Sequence, residues 1–270
     1  MSRRIILFPA VSIPSLTDKD YIRALLNRDR VWGLYALGDL APPMFEHTQW
    51  FTPDLTLVLR VHGTCILYAM GAGSVREALD HVEWPVHLQV QEDTLAEIAR
   101  HAVIADTKHM WRMRWTGTPA PAFAQASAGQ APVSAVTRLD ASHVDQLLSL
   151  YVDGNESGEA PDFFFPAMMS DATFYGVFED RALVAAAGTH LVSRDEGIAA
   201  IGNVYTRRDR RGRGYGAATT AAVLHALQGI ETIGLNVRAD NDSAIKMYER
   251  LGFVRHSPFT EALATGLRAS

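Results

Sequence analysis

Apolar and polar positions between residues 135 and 255 recur with spacings that predict a regular series of strands and helices. A short strand at 135–139 precedes a helix whose apolar positions are Val144, Leu147, Leu148 and Tyr151. The pattern then predicts strands at 174–178, 182–192 and 199–206 and a helix at 214–227. It continues with a strand at 233–237, a helix at 242–251 and a strand that begins at Phe253. This order predicts an α/β fold in which helices cover a mixed sheet.

The first 116 residues show a weaker version of the same order. Helix-like segments at 21–40 precede a hairpin of strands at 55–61 and 64–70, a strand at 86–90, a helix at 94–103 and a strand at 110–115. The apolar run at 5–11 is short and contains Pro9, so an edge strand is favoured over a signal peptide. Whether the two halves are an internal duplication stays open, because no residue-level repeat joins them.

The segment at 117–132 is rich in small residues and proline, and it interrupts the periodic pattern. Such a composition is typical of a linker because it buries too little apolar surface to remain packed. We therefore expect an N-terminal domain at 1–130 and a C-terminal domain at 131–270.

Composition narrows the class of protein. A net charge of −5 argues against a general nucleic-acid binder, which needs a basic surface. Cys65 is the single cysteine, so an internal disulfide and a thiolate metal cluster are excluded, no metal is expected, and a reducing cytoplasm is the expected compartment. No stretch approaches the ~18 uninterrupted apolar residues of a membrane span.

The densest group of charged and flexible residues is the segment from Arg211 to Ala217. A strand that leads through glycines into a helix exposes several backbone N–H groups at one point, where the helix dipole favours an anion. Gly212, Gly214 and Gly216 let the backbone approach a diphosphate, and Arg211 and Arg213 add positive charge. The segment predicts a diphosphate-binding loop.

Three other interpretations of this loop compete. The spacing and lysine of a P-loop are absent, which argues against nucleotide hydrolysis. Gly212, Gly214 and Ala217 formally fit a dinucleotide fingerprint, but an arginine-rich hexapeptide separates them from the preceding strand. A solvated arginine-rich turn without a ligand is the third alternative.

Two motifs together resemble those of the GNAT (Gcn5-related N-acetyltransferase) superfamily. Residues Arg211 to Gly216 fit its acyl-CoA loop, [R/Q]-x-x-G-x-[G/A], and the segment 202–206 is similar to its fourth strand, although Thr206 stands where proline is frequent. Asn241, Ala244, Tyr248, Gly252 and Phe253 fit its second cofactor motif, N-x-x-A-x-x-x-Y-x-x-x-G-F. The resemblance implies a GNAT fold in the C-terminal half and a degenerate GNAT-like N-terminal domain, as in proteins of the two-domain glycine N-acyltransferase-like kind.

The resemblance also implies acetyl-CoA as donor and direct acyl transfer to an amine in a ternary complex. The implied cofactor contacts are Val204, Tyr205, Thr206, Arg211, Gly212, Arg213, Gly214, Tyr215, Gly216, Ala217, Asn241 and Ala244. For catalysis it implies a backbone N–H near Val204 as oxyanion donor and Tyr248 as proton donor to the thiolate.

The group that accepts the amine proton is less well defined. His190 is one candidate because an imidazole titrates near neutrality, and a structural histidine is equally compatible with the sequence. Glu156 and Glu159 are alternatives as bases or anchors for a cation, and the phenylalanines at 163–165 either wall the acceptor pocket or belong to the core.

The acceptor is expected to be a small-molecule amine rather than a protein, and the protein to be a monomer or homodimer without nucleic-acid or membrane partners. These motifs do not identify the acceptor amine, since the contacts to the acceptor lie in variable loops. A catalytically inactive acyl-CoA sensor and an NAD-linked oxidoreductase remain as alternative functions.

Overall fold

A computed structural model of the protein describes residues 16–118, 136–155, 158–161, 163–170 and 172–269. The strands are Thr48–Phe51 (β1), Thr56–Val61 (β2), Thr64–Ala69 (β3), Val86–Val90 (β4), Ala102–Trp115 (β5), Thr137–Leu139 (β6), Phe174–Glu179 (β7), Ala182–Ser193 (β8), Ile198–Thr206 (β9), Thr232–Arg238 (β10) and Phe253–Leu267 (β11). The helices are Lys19–Leu26 (α1), Leu34–Gly38 (α2), Val75–Ala78 (α3), Glu92–His101 (α4), Val144–Asn155 (α5), Tyr215–Ala226 (α6) and Asp242–Arg250 (α7). Within these ranges, no helix combines the length and hydropathy that a bilayer crossing requires.

The described strands form one mixed sheet of eleven strands in the order β1-β2-β3-β4-β11-β5-β10-β9-β8-β7-β6. In the N-terminal half, β1, β2 and β3 form an antiparallel meander and β4 joins β3 in parallel. In the C-terminal half, β7, β8 and β9 form the same meander and β10 joins β9 in parallel. The fold class predicted from the sequence is confirmed, and the two halves repeat one another in topology.

The two halves exchange their last strands. β5, from the N-terminal half, pairs with β10, and β11, from the C-terminal half, pairs with β4. β5 and β11 also pair with each other along most of their length, from Phe253 opposite Trp115 to Leu267 opposite Ala102. Strands from both halves therefore form the centre of the sheet. Residues 119–135, which hold most of the predicted linker, lie outside the described ranges, and the division at residue 130 stays a prediction.

One apolar core belongs mainly to the N-terminal half and encloses the buried Arg112 of β5. Its guanidinium donates to the carbonyls of Val31 and Trp32, both at 3.3 Å. Aromatic rings surround the charge. The ring centroid of Tyr35 is 4.7 Å from the guanidinium carbon, and that of Phe259 is 5.4 Å from it. Burial lowers the pKa of Arg112, and the ring faces offset part of the cost of desolvating the charge. Tyr35 is thereby held at the boundary with the C-terminal half.

Most predicted elements lie within two residues of their observed bounds, and two differences have a physical reason. The structure contains β1, which the sequence pattern did not predict because it is a four-residue strand. β5 begins at Ala102, eight residues before the predicted start at 110, because a run of four apolar residues followed by four polar ones, at 102–109, shows no apolar alternation. The edge strand expected at 5–11 lies outside the described residues.

Candidate active site

The parallel strands β9 and β10 separate at the point where the resemblance places the transfer site. Their pairing runs from Ile198 opposite Thr232 to Ile201 opposite Leu235, and residues 202–206 have no partner in β10. On the other edge of β9, Asn203 and Val204 stand opposite the single residue Ala187, which makes a bulge in β9. Asn203 has a φ of +54°, and its carbonyl accepts a hydrogen bond from the Tyr151 hydroxyl at 3.0 Å. The bulge bends β9 away from β10 and opens a gap beside Val204.

A second bulge places His190. Thr189 pairs with Ile201, and Leu191 pairs with Ala200. His190 is therefore an extra residue of β8 without a partner in β9. Its ring lies against Gly202, where an added Cβ would overlap the imidazole. Nδ1 is 3.1 Å from the hydroxyl of Tyr35. Burial lowers the pKa of His190 to about 4, and the nearby Asn203 side chain opposes this only in part.

The predicted diphosphate loop has the geometry of an anion cradle. Gly212 and Gly214 have φ values of +77° and +81°, which side chains rarely adopt. The first intrahelical bond of α6 runs from the Ala218 N–H to the Gly214 carbonyl at 3.0 Å. The N–H groups of residues 215–217 precede this bond, and Gly214 supplies no side-chain cap, so these donors point to the start of the helix without a helical partner. An anion at this point would satisfy them.

Carboxylates neutralise the arginines of the loop. The guanidinium of Arg211 is 2.9 Å from Glu159, and that of Arg213 is 3.2 Å from Glu179. Glu179 also accepts a hydrogen bond from the Tyr215 hydroxyl, which is the largest cause of its lowered pKa. The charge of the loop is therefore partly balanced within the protein, and a diphosphate must compete with Glu159 for Arg211. Glu156 lies outside the described residues.

Tyr248 lies on α7 with its ring buried against Phe253, at 5.8 Å between ring centroids. Its side chain is 6% exposed, and burial raises its pKa well above the usual value of a phenol. Tyr248 therefore stays protonated at physiological pH and can act as a proton donor. Asn241 caps the same helix by accepting from the Ala244 N–H at 3.1 Å, which fixes where α7 begins.

A single cavity of about 1990 Å³ joins the loop, the separated strands and the N-terminal half. Every predicted site residue contributes to its wall, namely His190, Val204, Tyr205, Thr206, Arg211, Gly212, Arg213, Gly214, Tyr215, Gly216, Ala217, Asn241, Ala244 and Tyr248. Ligand pockets are usually about 300 to 1,000 Å³, so this cavity can hold two ligands side by side. In the described residues, no cluster of three or more His, Cys, Asp and Glu is placed to hold a metal ion.

The far wall of the cavity comes from residues that sequence reasoning missed. Tyr35, Gln89 and Met110 of the N-terminal half line it. No motif marks them, since each is a single residue in an ordinary helix or strand and reaches the cavity only through the exchanged sheet.

The phenylalanines at 163–165 divide between wall and core. Phe163 and Phe165 line the cavity, and Phe165 lies 5.2 Å from His62 of the N-terminal half between ring centroids. Phe164 packs in the core, 5.3 Å from the Tyr151 ring. Both interpretations of this segment are correct for different residues, because neighbours in an extended chain point to opposite sides.

Comparison with known families agrees with this geometry. Residues 141–253 match the profile described as Acetyltransferase (GNAT) family. This region contains the loop, the separated strands and α7, and its fold is that of a GNAT domain.

Two curated relatives are both named mycothiol acetyltransferase. The relative from Paenarthrobacter aurescens is 28% identical over an alignment of 181 residues, and the alignment covers 60% of this chain and 54% of the relative. That from Streptomyces coelicolor is 48% identical over 61 residues, 21% of this chain and 20% of the relative. The chain thus spans about half the length of the first relative and a fifth of the second.

Solved structures match almost the whole chain. A tandem GNAT protein from the clavulanic acid biosynthesis pathway has a TM-score of 0.54 at 12% identity, covering 95% of this chain and 98% of that one. A GCN5-related N-acetyltransferase-like protein from Streptococcus suis has a TM-score of 0.59 at 12% identity, and the match covers 90% of this chain and 99% of that one. These similarities show the fold of both halves.

Proposed function

We propose that the protein is an N-acetyltransferase that transfers an acetyl or short acyl group from acyl-CoA to the primary amine of a small molecule. The observation that carries the proposal is the single cavity in which an anion cradle, a separated strand pair and a buried phenol lie together. The match of residues 141–253 to the GNAT family and the names of the curated relatives support acetyl transfer.

In this proposal the donor enters along the C-terminal half. Its diphosphate lies on the N–H groups at the start of α6, with Arg211 and Arg213 beside it, and residues 204–206 pair with the pantetheine arm through their backbone. Asn241 and Ala244 border the same channel at the start of α7. The glycines allow close approach of the diphosphate, since among the described residues only their own chain neighbours come within 4 Å of a Cβ built at Gly212 or Gly214.

The chemistry is a direct displacement at the thioester carbonyl. The amine nitrogen forms a bond to the carbonyl carbon, and a backbone N–H near Val204 stabilises the oxyanion. The C–S bond then breaks, Tyr248 donates a proton to the departing thiolate, and the proton that the new amide loses returns through water to the tyrosinate. The Tyr248 phenol is protonated at neutral pH, so it can hydrogen-bond to the sulfur as negative charge develops and then give up its proton.

The amine enters as its neutral form. Alkylammonium groups have pKa values of about 10, as in lysine, so a group with a pKa of about 4 is some six units too weak to deprotonate one. The geometry therefore favours the structural interpretation of His190 over the general base. Glu159 pairs with Arg211 and is better placed to regulate donor entry than to act as base.

The acceptor occupies the part of the cavity between the halves, where Tyr35, Gln89, Phe163 and Phe165 form the wall. A cavity set between the two halves in this way admits a small molecule more readily than a folded protein. The relatives named mycothiol acetyltransferase support a small-molecule acceptor. Three expectations stay predictions: that the protein is of the glycine N-acyltransferase-like kind, that it is cytoplasmic, and that it is a monomer or homodimer.

Thermal melting with acetyl-CoA, CoA, NADH and ATP, followed by assay of CoA release over a panel of amines, tests the proposal. We expect stabilisation by both CoA species and amine-dependent CoA release. Stabilisation by acetyl-CoA without release for any amine would instead indicate the sensor, and stabilisation by NADH alone an oxidoreductase. No shift with any CoA species would exclude both CoA-dependent functions.

A further inference from the structure

The cavity contains one hydrogen bond that joins the two halves beside the transfer site. The hydroxyl of Tyr35, on α2, lies 3.1 Å from Nδ1 of His190, on β8. Both side chains line the cavity. Because His190 is the extra residue of a bulge, the strand ladder does not fix its ring, and side-chain partners must do so.

The direction of this hydrogen bond follows from the two groups. Burial raises the pKa of Tyr35 to about 12, so its phenol keeps its proton, and in the described ranges Nδ1 of His190 is the hydrogen-bond partner of that hydroxyl. The imidazole is neutral and has one unprotonated nitrogen. A phenol is the stronger donor and an unprotonated imidazole nitrogen the stronger acceptor, so Tyr35 donates to Nδ1. The proton of the imidazole then lies on Nε2.

The protonated Nε2 edge of the ring faces the bulge of β9. The ring lies against Gly202 and near the Asn203 side chain, whose amide oxygen and nitrogen are buried and have no hydrogen-bond partner within the described residues. Asn203 is buried and left-handed, a conformation that costs an asparagine free energy and needs support from its surroundings. The Nε2–H is a nearby donor that can satisfy the buried Asn203 amide oxygen, and such a contact would hold the residue that directly precedes Val204.

We propose that Tyr35 is a positioning residue of the transfer site, which fixes His190 as the Nε2-protonated neutral imidazole and, through it, the Asn203 bulge that leads into Val204. The proposal rests on the proposed function, since the bulge matters for transfer only if Val204 borders the thioester. It gives the N-terminal half a part in the acyl transfer that the sequence motifs assign to the C-terminal half alone.

Nitrogen-15 NMR of histidine-labelled protein tests the tautomer without any acyl donor or acceptor. The His190 signals are assigned by their loss in His190→Gln. We expect an unprotonated Nδ1, a protonated Nε2 and no titration between pH 5 and 8 in the wild type. In Tyr35→Phe we expect a mixture of tautomers, whereas Tyr21→Phe, which removes an exposed hydroxyl from α1, leaves the signals unchanged. A protonated Nδ1 in the wild type, or an unchanged tautomer in Tyr35→Phe, overturns the proposal.

Steady-state kinetics with acetyl-CoA and the best acceptor amine tests the consequence. Loss of one such hydrogen bond should lower kcat of Tyr35→Phe roughly 5- to 10-fold, with the KM for acetyl-CoA unchanged. His190→Gln, whose amide nitrogen can reach the place of Nε2, should retain more activity than His190→Asn. Wild-type kcat in Tyr35→Phe, or the reverse order of the two His190 variants, overturns the positioning role. An Nε2-protonated His190 in a protein that never releases CoA would remove the proposed function instead.

Discussion

Gly214 directly precedes α6 with a φ of +81°, and apart from its chain neighbours no described residue comes within 4 Å of where its Cβ would be. The side chain introduced by Gly214→Val would therefore meet the diphosphate and not the protein. We expect this variant to bind acetyl-CoA more than 10-fold more weakly, measured by calorimetry. Left-handed strain should also cost about 1 to 2 kcal/mol of unfolding free energy.

Gly229→Val is the matched control for that substitution. Gly229 has a φ of +86° and open space at its Cβ, but it does not line the cavity. The control should lose similar stability and keep its affinity for acetyl-CoA. Equal affinities in the two variants would show that the loop is not the cradle.

The Tyr248 hydroxyl is the second residue-scale test. We expect Tyr248→Phe to lower kcat about 100-fold, the low end of the effect of a general acid, with the KM for acetyl-CoA within twofold. The ring still packs against Phe253, so stability should change little. A kcat close to that of the wild type would assign thiolate protonation to another group.

His190 makes stability depend on pH in a defined direction. Its pKa falls from 6.5 to about 4 on folding, so below pH 6.5 the unfolded chain binds a proton that the folded protein does not. The protein should lose about 3 kcal/mol of unfolding free energy from this group as the pH falls from 6.5 to 4. Urea unfolding of wild type and His190→Gln at pH 7 and 4.5 measures this, and equal losses in both would contradict it.

At the scale of single residues, sequence reasoning succeeds where the chemistry is local. The loop glycines and the Asn241 cap were predictable because their conformations depend on neighbours within a few positions. The contact of Tyr35 with His190 was not predictable, since 155 positions separate the two residues. Two offsetting bulges, one in β8 and one in β9, determine where the imidazole lies. An alternating apolar pattern contains no signal for a bulge.

The segment that follows α5 joins the donor and acceptor parts of the cavity. Glu159 holds Arg211 at the cradle, and Phe163 and Phe165 line the acceptor wall a few residues later. A diphosphate bound by Arg211 would displace Glu159, so donor binding and the Arg211–Glu159 pair are coupled.

Glu159→Gln tests this coupling. A pair this exposed contributes about 0.2 to 1 kcal/mol, so removal of its charge should tighten acetyl-CoA binding roughly 2- to 5-fold at low salt. Glu97→Gln, which breaks an exposed pair with Arg100 on α4, is the control and should not alter binding. Weaker or unchanged binding by Glu159→Gln would show that Glu159 does not compete with the diphosphate.

On the scale of elements, the order of strands and helices was predictable from periodicity, whereas their partners were not. The positions of β5 and β11 depend on pairings between residues more than 130 positions apart, such as Arg114 with Val254. Neither strand carries a sequence feature that selects the other half over its own. The sequence therefore predicts the elements of two GNAT-like halves but not the exchange of their last strands.

The exchange makes the two halves depend on one another for stability. β5 lies between β10 and β11, so removal of the N-terminal half would expose both edges and the apolar residues beside them, including Leu235 and Phe253. Unpaired buried strand edges are costly and prone to aggregate. A fragment of the C-terminal half should therefore not fold alone, although it contains every residue of the proposed donor site.

Calorimetry of the full chain tests this interdependence. One cooperative unit gives a single transition in which the calorimetric and van't Hoff enthalpies agree. Acetyl-CoA at 100 times its Kd adds about 2.7 kcal/mol, which for a unit of roughly 250 residues raises the Tm by about 5 °C. If the C-terminal half unfolded alone, the same free energy would move a smaller transition by about twice as much and leave a second transition in place. One transition that moves as a whole is expected, because the ligand binds one half of a sheet whose central strands come from both.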